Sequence, residues 1–102
     1  MRRSLLVMAE DTVKPVGPYT PLVKAGPWLV VSGQVGIADG VLVEGGVQEQ
    51  LRQAFVNLRG LLEAEGHGLD VVTKTTVFLV DMADYGPMNE VYTDEFGDHR
   101  PA

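Results

Sequence analysis

The 102-residue sequence contains no cysteine. This absence excludes disulfide bonds, thiol nucleophiles and cysteine-ligated metal sites together, and it is typical of a protein from a reducing compartment. Positive charge is also scarce, because eight lysines and arginines stand against fourteen acidic residues and give a net charge of −6. Such a surface repels a phosphate backbone, and the basic residues are scattered along the chain. We therefore expect no nucleic-acid partner.

Long apolar runs are missing too. The opening "MRRSLLVMAED" has the two arginines and apolar run of an export signal, but the run from Leu5 to Ala9 is only five residues long. An export signal needs at least about seven. No stretch approaches the roughly 20 apolar residues that a membrane-spanning helix requires. We expect a cytoplasmic protein with no membrane partner.

The first half of the chain has the pattern of short strands. Residues 5–8 are compatible with a first strand, and the proline-rich stretch that follows predicts a loop. Leu22–Ala25 and Trp28–Ser32 flank Gly26-Pro27, which predicts a hairpin. "IADGVLV" predicts a second hairpin around its Asp-Gly dipeptide.

The second half changes period. In "GGVQEQLRQAFVNLRGLLEAEG" the apolar residues advance by threes and fours, which predicts a helix that ends at Gly66. "VVTKTTVFLVD", at 71–81, is rich in β-forming residues and predicts a strand. A second helix is expected from near Pro87 to Gly97, with an apolar face of Met88, Val91, Tyr92 and Phe96. Two helices on one side of a sheet indicate an α+β fold, although the sheet has few strands.

The sequence gives little support for a metal site or for the catalytic triad of a serine hydrolase. His67 and His99 are the only histidines, and neither belongs to a ligand spacing such as His-x-x-x-His, so we expect no metal. Ser32 follows a strand, as the nucleophile of an α/β-hydrolase does. The nucleophile elbow needs glycine two residues before and after the serine, where this chain has Val30 and Gln34. A Ser-His-Asp hydrolase is therefore disfavoured.

Four residues are candidates for a binding site, each with a structural alternative. Tyr19 lies between Pro18 and Pro21, which restrict its loop; it could line a ligand or only cap the edge of the core. Ser32 and Gly33 end a strand, where the glycine permits either a turn or the close approach of a ligand. Asn89 is a polar residue beside the apolar stripe of the second helix and could simply face solvent.

Taken together and in order, these stretches resemble the RidA family, also called the YjgF or UK114 family. The resemblance is carried by "VGPYTPLVKAGPWLVVSGQVG", "QLRQAFVNLRGLLEAEG", "DVVTKTTVFLVDMADYGPMNEVY" and the terminal "RPA", and it covers the chain from Val16 onward. It implies a chorismate-mutase-like α+β fold with a mixed sheet and two helices packed on one face. It also implies a homotrimer with sites in clefts between neighbouring subunits.

The activity implied by the resemblance is hydrolysis of reactive imines and enamines. The substrates are 2-imino acids such as 2-iminobutyrate and 2-iminopropanoate, the products are 2-keto acids and ammonia, and no metal or organic cofactor is needed. By the family motif, Tyr19 is the catalytic residue that lines the cleft. Ser32 and Gly33 approach the substrate, and Asn89 adds a polar contact. An arginine grips the carboxylate with two parallel hydrogen bonds.

In the family that arginine directly follows Pro-Ala, and two further strands with a water-holding glutamate come after it. Here Pro101-Ala102 are the last two residues. We therefore expect a single RidA-type domain over residues 1–102, shortened at its C-terminus and impaired in activity, with exposed apolar surface. An incomplete sequence and a natural truncation both stay open. A less favoured alternative is that Arg100, which is not the motif arginine, moves into its place.

Two functions from other classes also stay open. The first is a non-catalytic module that binds small carboxylates or protein partners, as a regulator or holdase. The second is the ribonuclease or translation-inhibiting activity that some family names mention. The acidic balance of the chain argues against the second.

Overall fold

The computed structural model describes residues 17–102 of the chain. Strands β1 (Leu22–Ala25), β2 (Trp28–Val31), β3 (Ile37–Ala38) and β4 (Val41–Leu42) precede helices α1 (Val47–Ala64) and α2 (Tyr85–Phe96). Two 3-10 turns, Leu69–Val71 and Met82–Asp84, lie between the helices. The predicted α+β class is confirmed. The strand expected at residues 5–8 lies outside the described range.

Both predicted hairpins are confirmed. β1 and β2 pair antiparallel with Leu22 opposite Val31 and Ala25 opposite Trp28. β3 and β4 pair in the same sense around Asp39-Gly40, whose φ angles are 53° and 78°. Positive φ at both central residues is the geometry of a type I′ turn, which matches the right-handed twist of the strands. In the described range these hairpins form two separate two-stranded sheets.

Helix α1 has clear signals at both ends. The Glu49 carboxylate accepts a hydrogen bond from the Gly46 backbone N–H at 2.7 Å, which satisfies a donor of the first turn. At the other end Gly66 has a φ of 81°, and the N–H of His67 reaches back to the Leu62 carbonyl at 2.9 Å. This is the glycine-terminated ending common in helices. The predicted helix is confirmed.

The core lies between the two helices. Val91 of α2 has no exposed surface, and Phe55 of α1 and Phe96 of α2 are 5% and 7% exposed. The rings of Phe55 and Phe96 meet edge to face with centroids 5.2 Å apart, and Tyr92 lies 4.8 Å from Phe96. These edge and tilted arrangements are favourable for aromatic pairs. The apolar face predicted for the second helix is therefore the one that packs.

Charged side chains join the helices at the rim of this core. Glu95 of α2 accepts hydrogen bonds from Arg59 of α1 and, at 3.4 Å, from Arg52 of the same helix. Asp94 lies 3.3 Å from Arg52. The Glu95 side chain is only 14% exposed, so its pairing is less screened by water than that of a surface ion pair. The network fixes how α1 and α2 are aligned.

Residues 72–79 do not form the strand that the sequence predicts over 71–81. They pair with none of the four strands, and Leu69–Val71 forms a 3-10 turn instead. Their backbone does meet the last residue: the Ala102 N–H donates to the Thr73 carbonyl at 2.8 Å, and the Thr75 N–H donates to the Ala102 carbonyl at 2.9 Å. One residue bonded to both neighbours of Lys74 is the pattern of a parallel pair. The predicted strand is wrong for the described chain because β-forming side chains do not make a ladder without a neighbouring strand.

The expected exposure of apolar surface is confirmed. Phe78 and Val80 expose 91% and 108% of their reference areas, and Trp28 and Val30 of β2 are more than half exposed. Large exposed apolar patches usually mark an interaction surface.

Candidate active site

A broad groove of about 1040 Å³ separates β2 from residues 71–79. Residues 27–36 form one wall, residues 71–79 form the other, and the floor comes from α1 and the apolar face of α2. The floor is mainly aliphatic and aromatic, and the polar groups are at the walls. Its volume lies at the upper end of the range for small-molecule sites. The groove can therefore hold a small ligand together with further protein atoms.

Ser32 lies on the first wall, where its hydroxyl already has a partner. Its Oγ donates a hydrogen bond to the Thr20 carbonyl at 2.8 Å, and its N–H donates to the Pro21 carbonyl at 2.9 Å. The hydroxyl oxygen keeps lone pairs that can accept a hydrogen bond from a ligand. Ser32 therefore has two roles: it lines the groove, and it holds the 19–21 segment against the end of β2.

Tyr19 is brought near Ser32 by that bond, because Thr20 is its neighbour in the chain. The Tyr19 side chain is 41% exposed, and its ring lies over Gly17: a Cβ at Gly17 would be 3.4 Å from two ring carbons. Tyr19 does not itself line the groove as the structure stands. The structure thus places Tyr19 beside the wall that carries Ser32, and leaves its ring at the surface.

Gly33 follows Ser32 on the same wall and is exposed. No atom lies within 4 Å of the position that a Cβ would occupy there, whereas a Cβ at Gly36 would be 2.6 Å from the Gln50 Cα. Gly36 is therefore required by the contact with α1. Nothing in the described fold requires glycine at position 33, which leaves its backbone accessible from the groove.

Alanine substitutions at these two glycines should have different effects on stability. Gly36→Ala should lower the free energy of unfolding by about 1–3 kcal/mol, because the added methyl pushes the loop away from α1. Gly33→Ala should stay within about 0.5 kcal/mol of the parent chain, since its methyl meets open space. Urea denaturation followed by circular dichroism measures both. Equal losses in the two variants would contradict the packing described here.

Asn89 is not brought into the groove. It lies in the second turn of α2 and is partly buried, and its neighbour Met88 is the residue that reaches the groove. The Gln48 side chain donates to the Pro87 carbonyl at 3.0 Å and so ties this end of α2 to α1. Among the predicted site residues, the structure brings Ser32 and Gly33 together, places Tyr19 next to them, and leaves Asn89 apart.

Arg100 does not line the groove. Its guanidinium donates hydrogen bonds to the carbonyls of Gly97 and, at 3.0 Å, His99, so it caps the end of α2. His99 Nε2 is 2.6 Å from the Val72 carbonyl, which fixes the path of the tail toward Ala102. Arg100 would have to leave these partners to contact a ligand, which weighs against the alternative that it replaces the family arginine.

Sequence reasoning missed Asn57, the one buried polar residue in the described range. Its side-chain N–H groups donate to the carbonyls of Val35 at 3.1 Å and Ile37 at 3.0 Å. A signal was available, because Asn57 lies three residues after Ala54 and four before Leu61, within the apolar stripe of α1. A polar residue in such a stripe needs a partner, and the pattern does not say which.

Within residues 17–102, no three histidine, aspartate or glutamate side chains lie close enough together to hold a metal ion. Neither helix in that range combines the length and the apolar character needed to cross a bilayer. The buried side-chain nitrogen and oxygen atoms of the same residues all have hydrogen-bond partners.

Comparison with known proteins gives consistent results. The family described as Endoribonuclease L-PSP matches residues 9–102. A RutC family protein of Pyrococcus horikoshii is 42% identical over 99 residues, which are 95% of this chain and 79% of that protein. The 2-iminobutanoate/2-iminopropanoate deaminase of Mus musculus is 44% identical over 89 residues, or 85% of this chain and 66% of the mouse protein.

The fold agrees with the sequence matches. The crystal structure of RidA from an Antarctic Psychrobacter has a TM-score of 0.85 and 34% identity, covering 91% of this chain and 76% of that one. The resemblance carried by the Gly-Pro-Tyr, Ser-Gly-Gln and Lys-Thr-Thr-Val-Phe stretches is thereby confirmed. With a family match over almost its whole length and the same fold as a solved member, the chain belongs to the RidA family of YjgF-type proteins.

Proposed function

We propose that this chain belongs to the imine-hydrolysing branch of the family and acts on 2-imino acids and their enamine tautomers. The reaction adds water to the C=N carbon and releases ammonia, leaving a 2-keto acid. The observation that carries the proposal is the wall formed by Ser32 and Gly33, an accessible backbone next to a serine with free lone pairs, at the edge of an apolar groove. The mouse relative named as an imine deaminase supports the same reaction.

Imine hydrolysis requires few catalytic groups, which agrees with the few polar groups on the wall of the groove. A protonated imine is already electrophilic, so the site has to orient the substrate and one water molecule. The groove floor can hold the alkyl part of the substrate and exclude other water. The Ser32 oxygen can accept a hydrogen bond from the protonated imine nitrogen, and backbone N–H groups near Gly33 can donate to the substrate carboxylate. Tyr19, beside them, can close over the substrate from the 19–21 loop.

We further propose that the site is completed by a neighbouring copy in a homotrimer. Trp28, Val30, Phe78 and Val80 present apolar side chains to solvent on both sides of the groove. A face of this kind is stabilised when another subunit covers it. Sedimentation or light scattering at micromolar concentration measures the oligomeric state, and a monomer would count against a shared site.

The direct test measures ammonia released from freshly generated 2-iminobutyrate, above the rate without protein. We expect Gly33→Ala to lower kcat/KM by about ten- to a hundredfold, because a methyl group on the wall displaces the substrate from the aligned geometry. Its stability should remain that of the parent, as argued above. Absence of stimulated ammonia release, both by the parent chain and by a version extended with a family tail that begins with arginine, would refute the proposed function. Full activity in Gly33→Ala would show that the substrate does not approach the Gly33 backbone closely.

A non-catalytic module that binds small carboxylates is the second candidate, and the position of Arg100 favours it. With that guanidinium on the end of α2, Lys74 is the one lysine or arginine lining the groove in the described range. A single flexible ammonium can hold a carboxylate without orienting it as a bidentate arginine does. Calorimetry with 2-oxobutyrate separates the candidates: binding without any turnover of 2-iminobutyrate supports the module.

RNA cleavage, which the description of the matching family mentions, is not what we propose. The net charge of −6 opposes a polyanion. Retention of RNA that falls steeply with salt would overturn this view, since that slope measures contacts with phosphate.

A further inference from the structure

The side chain of Asn57 is 3% exposed and uses its hydrogen-bonding groups on one loop. Its amide N–H groups donate to the Val35 and Ile37 carbonyls, at 3.1 and 3.0 Å. Its Oδ1 accepts a hydrogen bond from Gln53, one turn earlier in α1, at 2.9 Å. The loop contacts span 22 and 20 residues of sequence, so Asn57 does not merely satisfy its own helix.

The loop that Asn57 holds is the one that carries the candidate site. Residues 32–36 connect β2 to β3 without strand pairing of their own. Gly36, between the two carbonyls, lies so close to Gln50 that a Cβ would be 2.6 Å from its Cα. Gly33 is only two residues before Val35, so the anchor on α1 sets where the Gly33 backbone lies relative to the groove.

The chemistry of the contact calls for an amide. Two carbonyl oxygens face the side chain, and only a group with two donors on one atom can satisfy both. Aspartate has the same shape but would set a carboxylate against both carbonyls. Gln53 fixes which way the amide faces, because its own N–H group needs the Asn57 oxygen.

We propose that Asn57 is a positioning residue for the active site, which aligns the Ser32–Gly33 wall with the groove through the Val35 and Ile37 carbonyls. Its effect on turnover rests on the proposed function; its effect on the loop does not. The Asn57 side chain does not line the groove, and its contacts with the loop are to backbone carbonyls.

The test compares Asn57→Asp with Leu61→Ala, a variant of another buried residue of α1 that is 3% exposed and has no bond to the loop. Hydrogen exchange is measured by mass spectrometry under conditions where both variants remain folded. The N–H groups of Ile37 and Val43 report on the loop, because they bond to the carbonyls of Val35 and Gly36 at 2.8 Å. We expect exchange there to accelerate about tenfold or more in Asn57→Asp, and not in Leu61→Ala.

Kinetics with 2-iminobutyrate provides the second readout. Loss of alignment should lower kcat by about ten- to a hundredfold in Asn57→Asp. KM should change less, because the floor that holds the alkyl part is untouched. Leu61→Ala should keep the parent kcat at temperatures where it is folded. If Asn57→Asp does not fold, Asn57→Ser, which keeps a single donor, is compared in the same way.

The outcomes separate the two hypotheses. Loop-selective exchange together with a kcat loss supports the proposal. Exchange and kinetics like those of Leu61→Ala would overturn it, as would loop-selective exchange with an unchanged kcat. If the parent chain shows no imine turnover, exchange alone decides whether Asn57 positions the loop. Absence of turnover in the arginine-extended chain as well refutes the proposed function instead.

Discussion

Replacing Phe55 with alanine is expected to lower the free energy of unfolding by about 3–5 kcal/mol. Phe55 is 5% exposed and its ring meets Phe96 and Tyr92 edge on, at centroid distances of 5.2 and 6.1 Å. Truncation removes buried area and both ring contacts where α1 and α2 meet. A domain of this size is stable by about 5–15 kcal/mol in total, so the variant should lie close to unfolding at room temperature.

Urea and thermal denaturation, followed by circular dichroism at 222 nm, a wavelength at which helix dominates the signal, measure the loss. The adjacent Val56 provides the matched control, because it lies in the same helix and is 57% exposed. Val56→Ala should change stability by no more than about 0.5 kcal/mol. A Phe55→Ala loss of less than about 1 kcal/mol would mean that the aromatic cluster is not the centre of the core.

The helices could be predicted from the sequence because their signals are local. The apolar spacing of α1 depends on the period of the helix itself, and Gly66 and Gly97 terminate their helices with positive φ angles. The hairpins were equally local, since Asp39-Gly40 favours a type I′ turn whatever surrounds it. Each of these elements was predicted within a few residues of its observed ends.

The strand predicted at 71–81 shows where local reasoning stops. "TKTTVFLV" has the composition of a strand, but strand structure requires a partner, and within residues 17–102 only Ala102 makes backbone hydrogen bonds with this segment. Composition describes what a side chain favours and contains no information on which backbone lies opposite. The same limit explains Ser32: its site was anticipated, but its bond to Thr20 depends on how two loops fold together.

The site was harder to predict than the fold. Tyr19, Ser32 and Gly33 were candidates from their places in a proline-restricted loop and at a strand end, their roles came from the family resemblance, and the structure brings them to one end of β2. Asn89 was a candidate as a polar residue beside the apolar stripe of the second helix, but the geometry of α2 leaves it outside the groove. Asn57 was overlooked because a buried amide is identified only by its partners, which lie twenty residues away in the chain.

Adding an arginine after Ala102 is expected to have the largest effect on activity. The family resemblance implies that the carboxylate grip directly follows Pro-Ala, and Ala102 already pairs in parallel with Thr73 and Thr75. A strand continued in that direction would run beside 76–80 and along the groove. Its arginine could make two charge-assisted hydrogen bonds to the substrate carboxylate. Losing a buried charged pair typically costs about 2–5 kcal/mol.

We therefore expect the 102 residues extended by a family tail that begins with arginine to release ammonia from 2-iminobutyrate about a hundredfold faster than the unextended chain, a factor within that energy range. The matched control carries the same tail with leucine in place of the arginine. It fills the groove without the charge, and it separates the carboxylate grip from simple completion of the sheet. Equal rates in the arginine and leucine versions would show that an arginine at this position does not bind the substrate carboxylate.

If the unextended chain were as fast as the arginine version, the carboxylate would be held within residues 1–102. Lys74 on the groove wall and Arg100 at the end of α2 would then be the side chains to replace, and a loss on Arg100→Ala would show that its cap on the helix opens when substrate binds.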